Sequence, residues 1–120
     1  MKVLVYRNLN KGCYSVKAME GVNKGRVIAH EKEVYLTGAY AKVSEKGRQR
    51  VLKEGQRNVH AGLFGEWSDP FDIPRKAREI RYNPYKYKTF VYVDDQTEFI
   101  GGDIYATYNT VLVATLTKNT

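Results

Sequence analysis

The side chains best suited to chemistry begin in a basic stretch near the middle of the chain. It contains Arg48, Arg50 and Arg57, followed by Asn58 and His60. Arginine donates paired hydrogen bonds to phosphate oxygens, and an amide can read a base or ribose edge. Histidine can donate to phosphate or act as an acid or base near neutral pH. This combination predicts a binding site for a nucleotide or nucleic-acid phosphate. The same pattern also fits Asn58 and His60 as inward-facing polar residues that close a turn.

A second basic cluster, residues 75–88, interleaves cations with tyrosines. Aromatic faces stack on bases while neighbouring cations hold phosphates, so Arg81, Tyr82 and Tyr85 are predicted to form a stacking wall. The sequence has 10 tyrosines. Tyrosine is also a good strand residue and is enriched at oligomer interfaces, so both of these alternatives stay open.

Enzymatic alternatives rest on the two histidines. A metal-independent nuclease or a cyclic-nucleotide phosphodiesterase would use His30 or His60 as its acid or base. The sequence has no phosphate-binding glycine loop, no HExxH, no CxxC and no GxSxG. We therefore predict no catalytic residue, metal site or cofactor, and favour a binding protein over an enzyme.

The remaining reactive residue types have structural interpretations. Cys13 is the single cysteine, which excludes a disulfide within the chain and suits a small buried apolar residue. An acidic group near the C-terminus lacks the spacing of a calcium loop and is interpreted as a solvated hairpin tip: Asp94, Asp95, Glu98 and Asp103.

Charge is distributed unevenly along the chain. The net charge is +7, yet residues 75–88 carry six basic and one acidic side chain, whereas residues 89–120 carry one and four. Such a field favours an anionic partner, although a basic face can also serve only solubility. No apolar run approaches the roughly 20 residues of a spanning helix, and the N-terminus does not resemble a signal peptide. We expect a cytoplasmic protein with no membrane partner.

The elements that must position these residues are mostly strands. Residues 44–54 predict the one main helix, with Ser44 as N-cap, Glu45 in the first turn and Gly55 as the stop. Lys46, Arg50 and Lys53 then share one helix face. Alternation and turn residues predict strands at 2–7, 13–19, 26–30, 33–37, 39–43, 57–64, 79–82, 88–93, 98–100, 104–108 and 111–117, with a loop over 65–74.

These elements predict a β-rich α+β fold: an antiparallel sheet or small barrel with one main helix, in a single domain over residues 1–120. A short chain with several strand edges often hides them by self-association, so a homo-oligomer is expected.

Several short motifs carry a resemblance to known proteins. They are YRNL at residues 6–9, GRQRVL at 47–52, NVHA at 58–61 and YNPY at 82–85. This pattern resembles a family of small phage, prophage and plasmid proteins without an assigned activity. The resemblance implies a phage or mobile-element accessory protein working in the host cytoplasm. Small accessory phage proteins often counter bacterial defence, by blocking a host protein or by removing a nucleotide signal, so an anti-defence role is one expectation. An inhibitor of a host defence protein is therefore a further alternative to ligand binding.

Overall fold

Alternating apolar and polar residues build most of the secondary structure. The computed structural model describes residues 1–56 and 58–114. Within these ranges lie nine strands and one helix: β1 (Lys2–Asn8), β2 (Cys13–Ala18), β3 (Val27–Glu31), β4 (Glu33–Val43), α1 (Glu45–Glu54), β5 (Ala61–Trp67), β6 (Arg78–Arg81), β7 (Val91–Tyr92), β8 (Gly102–Thr107) and β9 (Val111–Ala114).

All nine strands belong to one antiparallel sheet. Their order is β3-β2-β1-β5-β4-β8-β9-β6-β7, so β3 and β7 form its two edges. The predicted β-rich α+β class with one helix is confirmed, as an open sheet. Within the described ranges, no helix has the length and apolar character needed to cross a membrane.

The core lies on one face of this sheet. Val5 pairs with Val16 on one side and Leu63 on the other, and Leu36 pairs with Ile104. Residues paired across antiparallel strands project to the same face, so these apolar side chains form continuous rows. All five are at most 2 % exposed. Burial of this face is what stabilises the sheet.

The long strand β4 differs from its prediction. The sequence indicated two strands, 33–37 and 39–43, separated at Gly38. Instead, one strand continues through this position, and its pairing with β5 shifts register between Thr37 and Tyr40. Gly38 has φ +57, a left-handed conformation that costs little without a side chain. The glycine therefore makes a bulge rather than a break.

Strand β5 also lies further along the chain than predicted. Residues 58–60 are not part of it, and the tripeptide 65–67, expected to be loop, is its second half. Gly65 pairs with Val3, and Trp67 pairs with Leu36. These long-range partners decide the strand's bounds, which local composition did not indicate.

The predicted hairpin after residue 88 is much shorter. Strand β7 has two residues, and the segment 98–100 contributes only an isolated bridge between Val91 and Glu98. The end of the strand predicted over 111–117 lies outside the described residues beyond Ala114.

The acidic turn of this hairpin is held by an arginine. Arg78 donates to both carboxylate oxygens of Asp94, at 2.9 and 2.6 Å, and its guanidinium lies 3.7 Å from the centre of the Tyr92 ring. The hydrogen bond from Arg78 is the main cause that lowers the pKa of Asp94. The turn is therefore a charged structural contact with β6.

Helix α1 begins and ends where the sequence predicts. The Gly47 amide donates to Ser44 Oγ at 3.1 Å, and Ser44 itself is extended, as an N-cap requires. At the other end, Gly55 has φ +68, and its amide donates to the Val51 carbonyl at 2.8 Å. This left-handed C-terminal glycine ends the helix.

Removing one buried hydroxyl is expected to stabilise the core. Tyr14 is 2 % exposed, and within the described ranges its hydroxyl has no hydrogen-bond partner. Burial raises its pKa to about 12. An unpartnered buried hydroxyl costs about 1 kcal/mol or more, so Tyr14→Phe should raise the free energy of unfolding by about that amount. Urea denaturation measures this.

Tyr82→Phe is the matched control for that experiment, because the Tyr82 hydroxyl has a partner, His60 Nε2 at 2.7 Å. It should lower the stability by roughly 1 kcal/mol. If Tyr14→Phe is destabilising to the same extent, the Tyr14 hydroxyl is satisfied and the interpretation is wrong.

Candidate functional site

A groove lies where the start of α1 meets the segment before β5. The Ser44 amide donates to the His60 carbonyl at 2.7 Å, which extends the β4–β5 pairing to the helix. A Cβ built on Gly47 would lie 2.5 Å from His60 Cβ, so the helix backbone packs against His60 with no room for a side chain at that glycine. The groove has a volume of about 250 Å³ and is lined by Ser44, Lys46, Gly47, Arg50, Asn58, Val59 and His60.

Two cations on one side of the helix face this groove. Lys46 and Arg50 are one helical turn apart, both are exposed, and neither forms an ion pair within the described ranges. The nearby Glu45 carboxylate does not line the groove. It accepts from Gln49 Nε2 at 2.6 Å and from Arg48 Nη1 at 3.1 Å. The hydrogen bond from Gln49, followed by the charge of Arg48, lowers the pKa of Glu45.

His60 uses both ring nitrogens within the protein. Nδ1 lies 3.1 Å from the Asn58 carbonyl, to which it can only donate, and Nε2 lies 2.7 Å from the Tyr82 hydroxyl. In the neutral tautomer with its proton on Nδ1, Nε2 accepts a hydrogen bond from the Tyr82 hydroxyl. Burial raises the pKa of the Tyr82 hydroxyl. His60 therefore has a structural role in the wall of the groove. A ligand would form a hydrogen bond with its ring only by replacing the Asn58 carbonyl or the Tyr82 hydroxyl.

Arg48, one of the predicted ligand-binding residues, is buried within the protein. It is 9 % exposed, and its Nε lies 3.0 Å from the carbonyl oxygens of both Pro84 and Tyr87. Those carbonyls belong to the loop after β6. Arg48 therefore ties α1 to the second basic cluster and does not line the groove.

The predicted stacking wall is divided. Tyr82 lies against Phe90, with ring centres 5.3 Å apart, and against His60. Tyr85 is 63 % exposed and lies in a turn, where its own backbone amide donates to Asn83 Oδ1. Arg81 is exposed, and its Nη2 lies 3.8 Å from Glu79 Oε2. Tyr82 is thus hydrogen-bonded to a residue of the groove, and none of these three residues lines it.

Of the predicted ligand residues, the structure brings Arg50, Asn58 and His60 together at the groove. Arg57 lies outside the described residues. Lys46 and Gly47 line the groove but were not among the predicted site residues. Lys46 could have been found from its shared helix face with Arg50. Gly47 could have been found because a glycine inside a helix often marks a close approach of another segment.

His30 belongs to another polar network. Its Nδ1 lies 3.2 Å from Ser15 Oγ, which also accepts from Asn8 Nδ2 at 3.1 Å. Ser15 is completely buried, so its hydroxyl is not open to a substrate. His30 also borders a shallow depression of about 620 Å³ together with Glu31, Lys32 and Glu33. The two carboxylates make that depression a poorer anion site than the groove.

No solved structure matches the chain. The chain is 39% identical over 109 residues to the Gene 82 protein of Mycobacterium phage L5, a match that covers 86% of each protein. The family described as Mycobacterium phage L5 gene 82 protein matches residues 1–114. The predicted resemblance to a small phage protein family is therefore confirmed: the chain belongs to the family of the Mycobacterium phage L5 gene 82 protein.

Proposed function

We propose that this phage-family protein binds the phosphate of a nucleotide-type ligand or nucleic acid in the groove beside α1. The observation that carries the proposal is the pair Lys46 and Arg50, exposed and without ion pairs in the described ranges, on a groove with Asn58 opposite. Lysine supplies a point charge, arginine a planar fork of donors, and asparagine an amide for a sugar or base edge.

The helix adds to the same field. Its N-terminal end carries a partial positive charge, which favours anions near the first turn. Glu45, the acidic residue of that turn, is already engaged by Gln49 and Arg48. Arg48 partly neutralises the negative charge of Glu45, which does not line the groove. An incoming phosphate therefore meets mainly the positive charges of Lys46 and Arg50.

Binding is favoured over hydrolysis because of how the histidines are used. General acid–base catalysis needs a side chain within hydrogen-bond reach of the reacting proton. His60 is hydrogen-bonded at both nitrogens, and His30 contacts a buried serine. An anti-defence role through ligand sequestration remains a prediction that follows from the phage family.

Removing the two groove cations should weaken ligand binding. Lys46→Gln and Arg50→Gln should each raise the dissociation constant for a fluorescein-labelled oligonucleotide by about ten-fold at low salt, measured by anisotropy. Each should also reduce the slope of log affinity against log salt concentration by about one. Unlabelled mononucleotides in competition show whether the groove accepts a free nucleotide.

Lys24→Gln is the matched control, because Lys24 is an exposed lysine in the turn between β2 and β3. It removes the same charge without touching the groove and should leave affinity within about two-fold. Equal losses in Lys24→Gln and Lys46→Gln would mean that only net charge matters. Affinity independent of salt would contradict a phosphate contact.

A further inference from the structure

The outer face of the sheet carries an apolar row that the groove does not use. Leu4 pairs with Phe64, and Phe64 pairs with Tyr40, across the adjacent strands β1, β5 and β4. Paired residues share a face, and strand alternation puts this row opposite the buried Val3 and Val5. The Phe64 and Tyr40 ring centres lie 5.1 Å apart.

This row is open to solvent. Tyr40 is 47% exposed, and Leu4 and Phe64 are half-buried, whereas the core face of the same strands is closed. The next position of β5 on this face is Gly62. A Cβ there would lie 2.7 Å from the Val5 carbonyl oxygen and 3.1 Å from Leu4 Cδ1. Only glycine fits at this position, because the Val5 backbone and the Leu4 side chain already fill the space beside Phe64.

One lysine lies at the end of this row and another lies beside its aromatic rings. Lys17 pairs with Leu4, and Lys42 pairs with Gly62. Lys42 Nζ lies 5.8 Å from the centre of the Phe64 ring. The next acidic residue on the face, Glu66, is paired with the N-terminal ammonium group. The apolar row therefore has positive charge at its Leu4 end and beside the Phe64 ring.

We propose that this surface, the Phe64 platform (Leu4, Tyr40 and Phe64 with Lys17 and Lys42), stacks the bases of a single-stranded nucleic acid. Aromatic rings stack on unpaired bases of any sequence, and flanking cations hold the phosphates between them. Bases within a duplex are already stacked on each other and cannot lie flat on such a surface.

The platform leads along β4 and β5 to the groove. The pairing runs from Tyr40 with Phe64, through Lys42 with Gly62, to the hydrogen bond between Ser44 and His60. Two residues of a strand span roughly 7 Å, so the groove begins about that far beyond Lys42. One strand of nucleic acid can place bases on the platform and a phosphate in the groove. This part of the inference rests on the proposed function of the groove.

The test compares ligands of one sequence in different forms. We use labelled 12-nucleotide single-stranded DNA and RNA, the matching duplexes, and a labelled mononucleotide. Single strands should bind at least ten-fold more tightly than duplex or mononucleotide. Phe64→Leu and Tyr40→Thr should each weaken single-strand binding by about ten-fold. Ile100→Thr, which removes an exposed apolar side chain outside the platform, should change it less than two-fold.

Failure of the platform is distinguishable from failure of the groove. If the platform variants bind as the parent does while Lys46→Gln still weakens binding, the platform is wrong and the groove stands. If Lys46→Gln and Arg50→Gln have no effect but the platform variants do, the groove is wrong and the stacking surface stands. Equal affinity for duplex and single strand overturns the inference.

A second variant guards against loss of folding. Phe64→Trp keeps an aromatic ring on the platform, and its added fluorescence should be quenched when a base stacks on it. The parent, which has Trp67 as its one tryptophan, gives the background signal. An unquenched signal at saturating single strand, in a variant with parental thermal unfolding, places the bases elsewhere and overturns the inference.

Discussion

Alanine at position 47 is expected to destabilise the protein by about 2 kcal/mol, although alanine is the better helix former. In an exposed helix, glycine to alanine stabilises by about 1 kcal/mol. Here the new Cβ would lie 2.5 Å from His60 Cβ. That atom is attached directly to the backbone, so it cannot swing away, and helix and segment must separate at an overpacking cost of roughly 1–3 kcal/mol beyond the lost gain.

The control for this prediction is Gln49→Ala, an exposed position of the same helix. It should change stability by no more than about 0.5 kcal/mol. Urea denaturation of both variants measures the difference, and the separation should also weaken ligand binding in Gly47→Ala, because Gly47 lines the groove. A Gly47→Ala protein more stable than the parent would show that the helix does not press on His60.

Truncation of Arg48 is expected to cost about 3 kcal/mol. Its Nε donates to the carbonyls of Pro84 and Tyr87, and its charge is paired with Glu45. Arg48→Ala leaves two carbonyl oxygens in a part-buried site without their donor, and each unsatisfied oxygen lowers the stability by up to about 1–3 kcal/mol. The variant also leaves a cavity where the side chain was. The loop of residues 83–87 would then lose its tie to α1.

Arg50→Ala is the matched comparison, because it removes the same side chain from an exposed position of the same helix. The two variants should have different effects. Arg48→Ala should lower the unfolding midpoint, whereas Arg50→Ala should keep the midpoint and weaken ligand binding. Equal stability of the two variants would contradict the structural role of Arg48. Thermal unfolding and anisotropy on the same samples give both measurements.

Local signals predicted the helix correctly because they are complete within a few residues. Ser44 and Gly55 each satisfy the backbone of their own helix end. Strand β5 could not be bounded in this way, since its second half is defined by pairing with Val3 and Leu36. Composition around residue 65, with glycine, tryptophan and nearby prolines, indicated a loop.

The same distinction between local and long-range signals applies to the candidate site. The cationic face of α1 follows from helical spacing, and so Arg50 could be placed from sequence. Arg48 could not, because its partners are main-chain carbonyls far along the chain. An inward-facing His60 was one of the alternatives that the sequence left open, but its partner Tyr82 was assigned to a separate stacking wall. Spacing predicts which residues share a face, but not which long-range neighbour covers it.

The sheet order also constrains how the protein is made. Strand β1 leaves the ribosome first, yet it lies between β2 and β5, and Val3 must wait for Gly65 to be synthesised. Strand β4 waits longer still, because its other partner is β8, where Tyr35 pairs with Tyr105. Pairings this distant make folding slow relative to helical proteins of similar size. Most of the chain must therefore emerge before the middle strands of the sheet have both neighbours, and until then their edges are open to other nascent chains.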